Sequence, residues 1–219
     1  PSAPKLVVLV DRSEQLSAQT IQEIVDRTID QIRLALPNAR VTIFAVTDSS
    51  TASLLPLYDG CRPKSSAEGN PVLEDVRRLD SRFKVVIDSI STELRRPVTG
   101  SRASPIAQAV TDLTLSSYLN GPVNQLLIFS DMLEHTSRFS MYQCPARAGV
   151  VTAFRASRMG SQERPTFHNT TVSLGIIPRN DLSANTMVCR DVLWPWFFGD
   201  MQGQTGGLEV RYLPGGSPR

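Results

Sequence analysis

The sequence contains only three cysteines, and this scarcity limits the structures open to it. Cys61, Cys144 and Cys189 form an odd set without a C-x-x-C spacing, so neither a zinc site nor a disulfide scaffold is indicated. In DGCRPK and YQCPAR, two of them precede loop-like segments, and Cys61 and Cys144 could pair in an oxidising compartment. Free thiols at the edges of these loops are an equally acceptable interpretation.

An excess of charge of one sign and a long apolar run are also missing. The 23 basic and 21 acidic residues are spread along the chain and leave a formal charge of +2, without a basic stripe. We therefore expect no nucleic-acid partner. No apolar run has the length of a membrane span, and the opening PSAPK has neither region of a signal peptide. We expect a location in the cytoplasm, or outside it after removal of a leader or anchor.

Motifs of common hydrolases are missing as well. The chain has no Walker-type phosphate loop, and no Ser-His-Asp arrangement carries the glycine spacing of a nucleophile elbow. Its two histidines, His135 and His168, both fall in loop-like segments, where a solvated histidine is commoner than a catalytic one. His135 lies four residues past Asp131 and could act there as an acid or base. We nevertheless expect a protein without catalysis of its own.

The sequence does contain strand patterns that alternate with helix patterns. KLVVLV and QLLIFSD are apolar runs typical of buried parallel strands, and SLLPLYDG is typical of an edge strand because it contains Pro56. Apolar residues recur at helical spacing after Ser17, which is the predicted N-cap of the first helix. The same spacing returns after Asn70-Pro71, which are predicted to open a long helix with Val72 on its apolar face. This order predicts an α/β fold: a doubly wound, mostly parallel six-stranded sheet with one antiparallel edge strand and helices on both faces.

The length of the chain suits one domain over residues 1–219, with loop insertions near 60–70 and 135–170 and a loose tail at 213–219. VVTAFRASRMG has an ambiguous pattern of helix or strand. The densest aromatic cluster is predicted to pack the last helix onto the sheet, and any part left exposed would suit a partner. Its members are Trp194, Trp196, Phe197 and Phe198.

Aspartates and serines are predicted to meet at one edge of this sheet. Asp11 and Asp131 each follow an apolar strand, and these two strands would be neighbours where the helices part to opposite faces, a usual ligand position. Ser13 and Ser104 would converge there too. Because carboxylates and hydroxyls are hard oxygen ligands, the set suits Mg²⁺.

These motifs resemble those of the von Willebrand factor A-like family. Asp11-Arg12-Ser13-Glu14-Gln15 stands where that family shows Asp-x-Ser-x-Ser, and Ser104-Pro105-Ile106 where it shows a Thr-Pro-Leu-like turn. Ser130-Asp131-Met132 stands at its Asp-Gly-like turn, and VTIFAVTDSSTASLLPL resembles its edge hairpin. The resemblance in element order covers nearly the whole chain, and it implies a metal-ion-dependent adhesion site.

The resemblance implies specific roles for five residues. Mg²⁺, with Mn²⁺ or Ca²⁺ as substitutes, would be held by Asp11, Ser13, Ser104 and Asp131, and an acidic residue of a protein partner would complete its shell. Gln15 departs from the family's second serine and would be an auxiliary ligand through its carbonyl oxygen. Met132 departs from the usual glycine. The protein would then be an interaction or assembly module.

Two other interpretations stay open. Asp11, Asp48 and Asp131 could form an acidic trio that holds metal for a phosphoesterase or nuclease. Alternatively, the chain is a metal-free scaffold of the same family, in which Ser104 is a helix N-cap before Pro105 and the aspartates form turns. Binding would then be carried by loops such as Phe139–Tyr142 and by the aromatic end of the chain.

Overall fold

The computed structural model describes residues 3–47, 53–97, 100–144, 147–159, 163–199 and 208–213, with the backbone alone for 208–212. Asp48, a member of the acidic trio considered above, lies outside the described residues, as does the tail after Leu213. In the described part of the chain, no helix combines the length and the apolar character that crossing a bilayer requires.

The strands form one sheet in the order β3-β2-β1-β4-β5-β6. Their bounds are Lys5–Val10 (β1), Arg40–Val46 (β2), Leu54–Cys61 (β3), Asn124–Ser130 (β4), Thr170–Ile176 (β5) and Leu208–Tyr212 (β6). Five of these strands run parallel to one another, and β3 pairs antiparallel with β2 at one edge. The predicted α/β fold with a mostly parallel sheet and an antiparallel edge strand is confirmed.

Helices cover both faces of this sheet. Their bounds are Ala18–Leu34 (α1), Val76–Arg95 (α2), Ile106–Leu115 (α3), Val150–Ser157 (α4) and Ala184–Phe197 (α5). Alternate residues of β1 point to opposite faces, so Val8 packs in one core with α1 and α2, and Leu9 packs in another with α3, α4 and α5. The central strands therefore read as continuous apolar runs.

The long helix α2 begins later than Asn70-Pro71 predicted. Asn70 instead turns the chain: its side chain accepts the Val72 N–H at 3.0 Å, and its carbonyl accepts the Glu74 N–H at 2.8 Å. Asp75 caps α2, and Val72, predicted on the apolar face, is 87% exposed. The prediction failed because an asparagine can satisfy a local turn as readily as it can cap a helix.

The cysteines are paired differently from the predicted possibility. Cys144 forms a disulfide with Cys189 of α5, and Cys61 is an exposed free thiol on β3. The pairing of Cys61 with Cys144 is wrong because the sheet order places β3 at one edge, whereas α5 packs against β4 and β5 on the other side of β1. The segment VVTAFRASRMG, whose pattern fitted a helix or a strand, forms the helix α4 over Val150–Ser157.

The aromatic cluster packs the last helix onto the sheet, as predicted. Trp194, Phe197 and Phe198 are buried, and Trp196 is half-buried. The Trp194 Nε1–H donates to the Met132 carbonyl at 2.6 Å, so the helix is anchored directly to the loop that follows β4.

Candidate functional site

A crevice of about 230 Å³ lies at the carboxyl edge of the sheet, where the ends of β1, β4 and β5 meet. The residues after these strands reach it because parallel neighbours end on the same side. Asp11 follows β1, Asp131 follows β4, and Arg179 follows β5 within three residues. Side chains and backbone that line the crevice include Ser13, Glu14, Arg102, Ser104, Asp131 and Tyr142.

Asp11 is the buried hydrogen-bond acceptor of the site. Its Oδ2 accepts the hydroxyl of Ser104 at 2.7 Å and the hydroxyl of Ser130 at 2.9 Å, and its Oδ1 accepts the Ser13 N–H at 3.0 Å. Since Asp11 is only 5% exposed, three donors replace the water that an ionised carboxylate would otherwise need. The structure thus brings together Asp11, Ser13 and Ser104, as the sequence predicted.

A short backbone pairing holds two of the site's loops together. The Ser104 N–H donates to the His135 carbonyl at 2.8 Å, and the His135 N–H donates to the Ser104 carbonyl at 3.1 Å. The loop before α3 and the loop after β4 are therefore linked by an antiparallel bridge. The His135 ring, considered above as an acid or base, lies 2.9 Å from the Ser140 hydroxyl through Nδ1 and packs edge-on against Tyr142.

Asp131 lies between a backbone donor and an arginine. Its Oδ1 accepts the Leu133 N–H at 3.0 Å, and its Oδ2 accepts from Arg179 Nη1 at 3.1 Å. The same Arg179 nitrogen pairs with Glu14, and the rest of the guanidinium forms a two-pronged contact with Asp181 at 2.8 and 2.7 Å. Burial, and then the nearby charge of Asp11, raises the pKa of Asp131 to about 7.

The donor set in this arrangement does not fit Mg²⁺. Both Asp11 oxygens already accept hydrogen bonds, and the positive charge beside Asp131 is supplied by Arg179. Gln15, the predicted auxiliary ligand, is exposed. Among the described residues, no group of three or more His, Cys, Asp or Glu side chains has the geometry to hold a metal ion. Magnesium binding is thus a prediction of the family resemblance that these contacts do not support.

Four residues of the site were not predicted from the sequence: Glu14, Ser130, Glu134 and Arg179. Ser130 is the last residue of β4, and its hydroxyl receives the Met132 N–H at 2.8 Å while it donates to Asp11. A signal for Arg179 was present, because a charged residue soon after a third parallel strand reaches the same edge. The signal could be used only with the order of the strands in the sheet, which the sequence does not show.

Glu134 supplies the cap that was considered for Ser104. Its Oε2 accepts the Ala107 N–H of the first turn of α3 at 2.8 Å, and Glu134 is only 3% exposed. Ser104 points its hydroxyl at Asp11 instead, so its interpretation as an N-cap is wrong. A distant acidic side chain satisfies the helix end because its N-terminus favours a carboxyl oxygen.

Replacing Glu134 by glutamine is expected to flatten the dependence of stability on pH. Burial raises the pKa of Glu134 to about 8 from its ordinary value of 4.5, so the native state holds the proton more tightly than the unfolded chain. The stabilisation that comes from this bound proton is fully present below about pH 4.5, decreases above that pH and is gone once the pH has risen through about 8. Between pH 6 and pH 9 the wild type should lose about 3 kcal/mol more than Glu134→Gln in urea unfolding. Equal losses in both proteins would contradict this assignment.

Met132 occupies a backbone conformation that glycine adopts more easily. Its φ angle is +60°, in the left-handed region, and yet its side chain is 1% exposed within the core. Position 132, where the resemblance places a glycine, thus has a backbone conformation that glycine adopts easily, and it carries an apolar side chain buried in the core.

At position 132, the glycine variant is expected to be more stable than the alanine variant, which is the reverse of the usual order of stability. Both Met132→Gly and Met132→Ala lose the buried side chain, but only glycine also relieves the left-handed strain. We expect thermal or urea unfolding to show Met132→Gly about 1 kcal/mol more stable than Met132→Ala. At an ordinary buried position such as Met141, which is also fully buried, alanine should be the more stable of the two. The same order at both positions would argue against strain at Met132.

The other loop candidates are placed as follows. In the Phe139–Tyr142 segment, Phe139 and Met141 are buried, and Tyr142 is 45% exposed at the rim of the crevice. His168 is exposed, and its carbonyl accepts a hydrogen bond from Asn124, the first residue of β4, so it lies at the opposite edge of the sheet. Tyr142 is therefore the exposed aromatic residue of this segment that borders the site.

Similarities between this chain and known proteins are found among solved structures. No protein-family model matches the sequence, and a search of curated proteins finds no similar sequence. Similar solved structures include a von Willebrand factor type A structure from Catenulispora acidiphila (11% identity, TM-score 0.46, covering 97% of this chain and 39% of that one).

Two further similar structures are the human COPII-coat protein Sec24c and the pilus adhesin SpaC from Lactobacillus rhamnosus GG. The first shows 12% identity and a TM-score of 0.44 and covers 97% of this chain and 30% of that one. The second shows 9% identity and a TM-score of 0.48 and covers 96% and 28%. The chain thus spans less than half the length of these proteins. At such identities the likenesses add nothing about the site, which rests on the contacts described above.

Proposed function

We propose that the protein is a non-catalytic interaction module that binds a protein partner at the crevice formed by the ends of β1, β4 and β5. The observation that carries the proposal is the contact network of the site. Asp11 is occupied by three donors and Asp131 by two, so the charged groups hold the loops in place and are not directed at a substrate. A rigid frame with an exposed rim suits recognition.

The rim offers chemistry that protein partners commonly use. Tyr142 is 45% exposed, and its ring makes a T-shaped contact with the His135 ring, so its orientation is restricted before binding. Arg102 lies exposed on the facing loop. Tyrosine and arginine are enriched at the energetic centres of interfaces because they combine apolar area with hydrogen-bond donors.

The proposal differs from the hydrolase alternative in what the aspartates do. A metal-dependent hydrolase would need Asp11, Asp48 and Asp131 to hold metal. Asp11 instead accepts from Ser13, Ser104 and Ser130, and Asp131 accepts from Leu133 and Arg179. Asp48 lies outside the described residues.

The partner's chemistry depends on whether metal binds. If Mg²⁺ were held by Asp11, Ser13, Ser104 and Asp131, an acidic residue of the partner would complete its shell, as the family resemblance implies. In the metal-free arrangement, a partner would instead contact the rim. The dependence of binding on Mg²⁺ and on a chelator separates these two forms of the same function.

Site-specific photo-crosslinking tests the proposal. A benzophenone side chain at position 142 is expected to capture a defined protein from an extract of the source cells. The same group at Leu36, which is 62% exposed at the opposite edge, should not capture it. With the purified partner, Tyr142→Ala should weaken binding by about tenfold or more, and Leu36→Ala should leave it unchanged.

Two results would contradict the proposed function. One is the capture of the same proteins from positions 142 and 36, which would indicate non-specific contact. The other is turnover of bis-(p-nitrophenyl) phosphate with Mg²⁺ or Mn²⁺ that disappears in Asp131→Asn, because it would favour the hydrolase. We expect no turnover above that of the variant.

A further inference from the structure

Arg179 is the most heavily paired cation at the crevice. Its guanidinium contacts three carboxylates, those of Glu14, Asp131 and Asp181, and its side chain is 8% exposed. Glu14 and Asp131 come from the loops after β1 and β4, and Arg179 comes from the loop after β5. One side chain therefore joins the three loops that form the site.

We infer that Arg179 is the resident cation of this site, and that its guanidinium takes the place and the charge-balancing role of a divalent metal ion. The inference rests on the proposed function in one respect, since both concern the same crevice. It adds that the crevice is assembled by a cation covalently attached to the chain and excludes metal while Arg179 is in place.

Negative charge gathers at the ends of the strands. Asp11, Glu14 and Asp131 come together there, and Asp131 is only 15% exposed. Carboxylates gathered in one partly buried site repel one another unless a cation lies among them. Arg179 Nη1 pairs with both Glu14 and Asp131 and thus supplies that cation.

Arg179 is held in place by its partners and is far less exposed than a surface arginine. The Asp181 carboxylate accepts hydrogen bonds from both Nε and Nη2 of Arg179, and this two-pronged geometry fixes the plane of the guanidinium. By contrast, Arg33 pairs with Asp30 on α1 through a single contact at 3.3 Å, and both side chains are more than 60% exposed. The difference in burial and in partner number marks Arg179 as part of the site.

Arg179 and a divalent metal ion would compete for Asp131. A metal ion bound to Asp131 Oδ2 would lie beside Arg179 Nη1, which contacts the same oxygen at 3.1 Å. Two positive charges on the same carboxylate oxygen in a partly buried site repel each other strongly. Mg²⁺ also requires near-octahedral oxygen ligands, and an arginine supplies none. Arg179 and a divalent metal therefore exclude each other.

Calorimetric titration of the metal-stripped full chain with MgCl₂ and MnCl₂ tests the inference. Arg179→Gln removes the charge and is expected to bind Mn²⁺ at least about tenfold more tightly than the wild type. Asp181→Asn, which releases the guanidinium without touching a proposed ligand, should shift affinity in the same direction. Arg155→Gln is the control, because Arg155 forms an exposed ion pair with Glu163 remote from the crevice and should match the wild type.

A second substitution shows where the metal binds. In the Arg179→Gln background, Asp131→Asn should abolish the gained affinity. The inference is overturned if the wild type already binds metal as tightly as Arg179→Gln, or if folded Arg179→Gln gains no affinity. If Arg179→Gln does not fold in a thermal melt, Asp181→Asn decides in the same way, since the Asp181 side chain is 63% exposed. Failure here leaves the crosslinking result at position 142 unaffected, so the two proposals fail separately.

Discussion

Reduction of the disulfide between Cys144 and Cys189 is expected to lower the free energy of unfolding by about 4 kcal/mol. The two residues are 45 positions apart, and the bond restricts the unfolded chain over that distance. Both cysteines are buried, and the Cys144 carbonyl also accepts the Asn185 side chain at 2.9 Å. The bond thus ties the loop after β4 to α5, at a point two residues beyond Tyr142.

Urea unfolding with and without a phosphine reductant measures this effect. The matched control is Cys61→Ser, which removes the exposed thiol of β3 and should retain the full sensitivity to reductant. The double variant Cys144→Ala/Cys189→Ala should be destabilised in the absence of reductant and insensitive to its addition. Identical unfolding midpoints in oxidised and reduced wild type would show that the bond does not contribute to stability.

Asp11→Ala is expected to lower the free energy of unfolding by about 3 kcal/mol, with or without metal. The substitution removes the acceptor for the hydroxyls of Ser104 and Ser130 and for the Ser13 N–H. These donors lie at a buried position, where each unsatisfied group costs about 1–3 kcal/mol, partly relieved by water that enters the crevice. Asp11 is therefore required to assemble the site, whatever binds there.

Chemical unfolding of Asp11→Ala beside Asp30→Ala tests this prediction. Asp30 is an exposed carboxylate on α1, and its loss should change stability by less than about 0.5 kcal/mol. Ser104→Ala should cost less than Asp11→Ala, because Asp11 would keep two of its donors. If Asp11→Ala were as stable as Asp30→Ala, the hydrogen bonds of Asp11 would not hold the loops. In metal titrations, Asp131→Asn is the better control, since it leaves the Asp11 network intact.

The order of elements was predictable because local patterns carry it. The run Lys5–Val10 is apolar at every position but the first, since β1 is buried on both faces, and Ser17 caps α1 as predicted. Pro56 marked β3 as an edge strand. The start of α2 was missed because Asn70 and Asp75 are both good caps, and the choice depends on packing that lies beyond the local sequence.

The site was predictable where a residue is next to a strand end in a recognisable motif. Asp11 and Ser104 meet as their motif order implied, although 93 positions separate them. Ser130 and Glu134 were missed because their roles depend on where a hydroxyl or a carboxyl points. Arg179 was missed because its importance follows from β5 lying beside β4. The disulfide was missed for the same kind of reason, since Cys189 joins Cys144 only after α5 packs.

The antiparallel strand at the rim of the sheet has a consequence for self-association. An outer strand offers backbone groups to which a strand of another molecule can add, and this is a route to polymers and aggregates. In β3, however, Pro56 lacks an N–H, and the register with β2 shifts between Ile43 and Phe44. An incoming strand would find an interrupted ladder there. Strand addition at β3 is thus disfavoured, and so is fibre growth from this edge of the sheet. Contacts with a partner at this edge would be made by side chains.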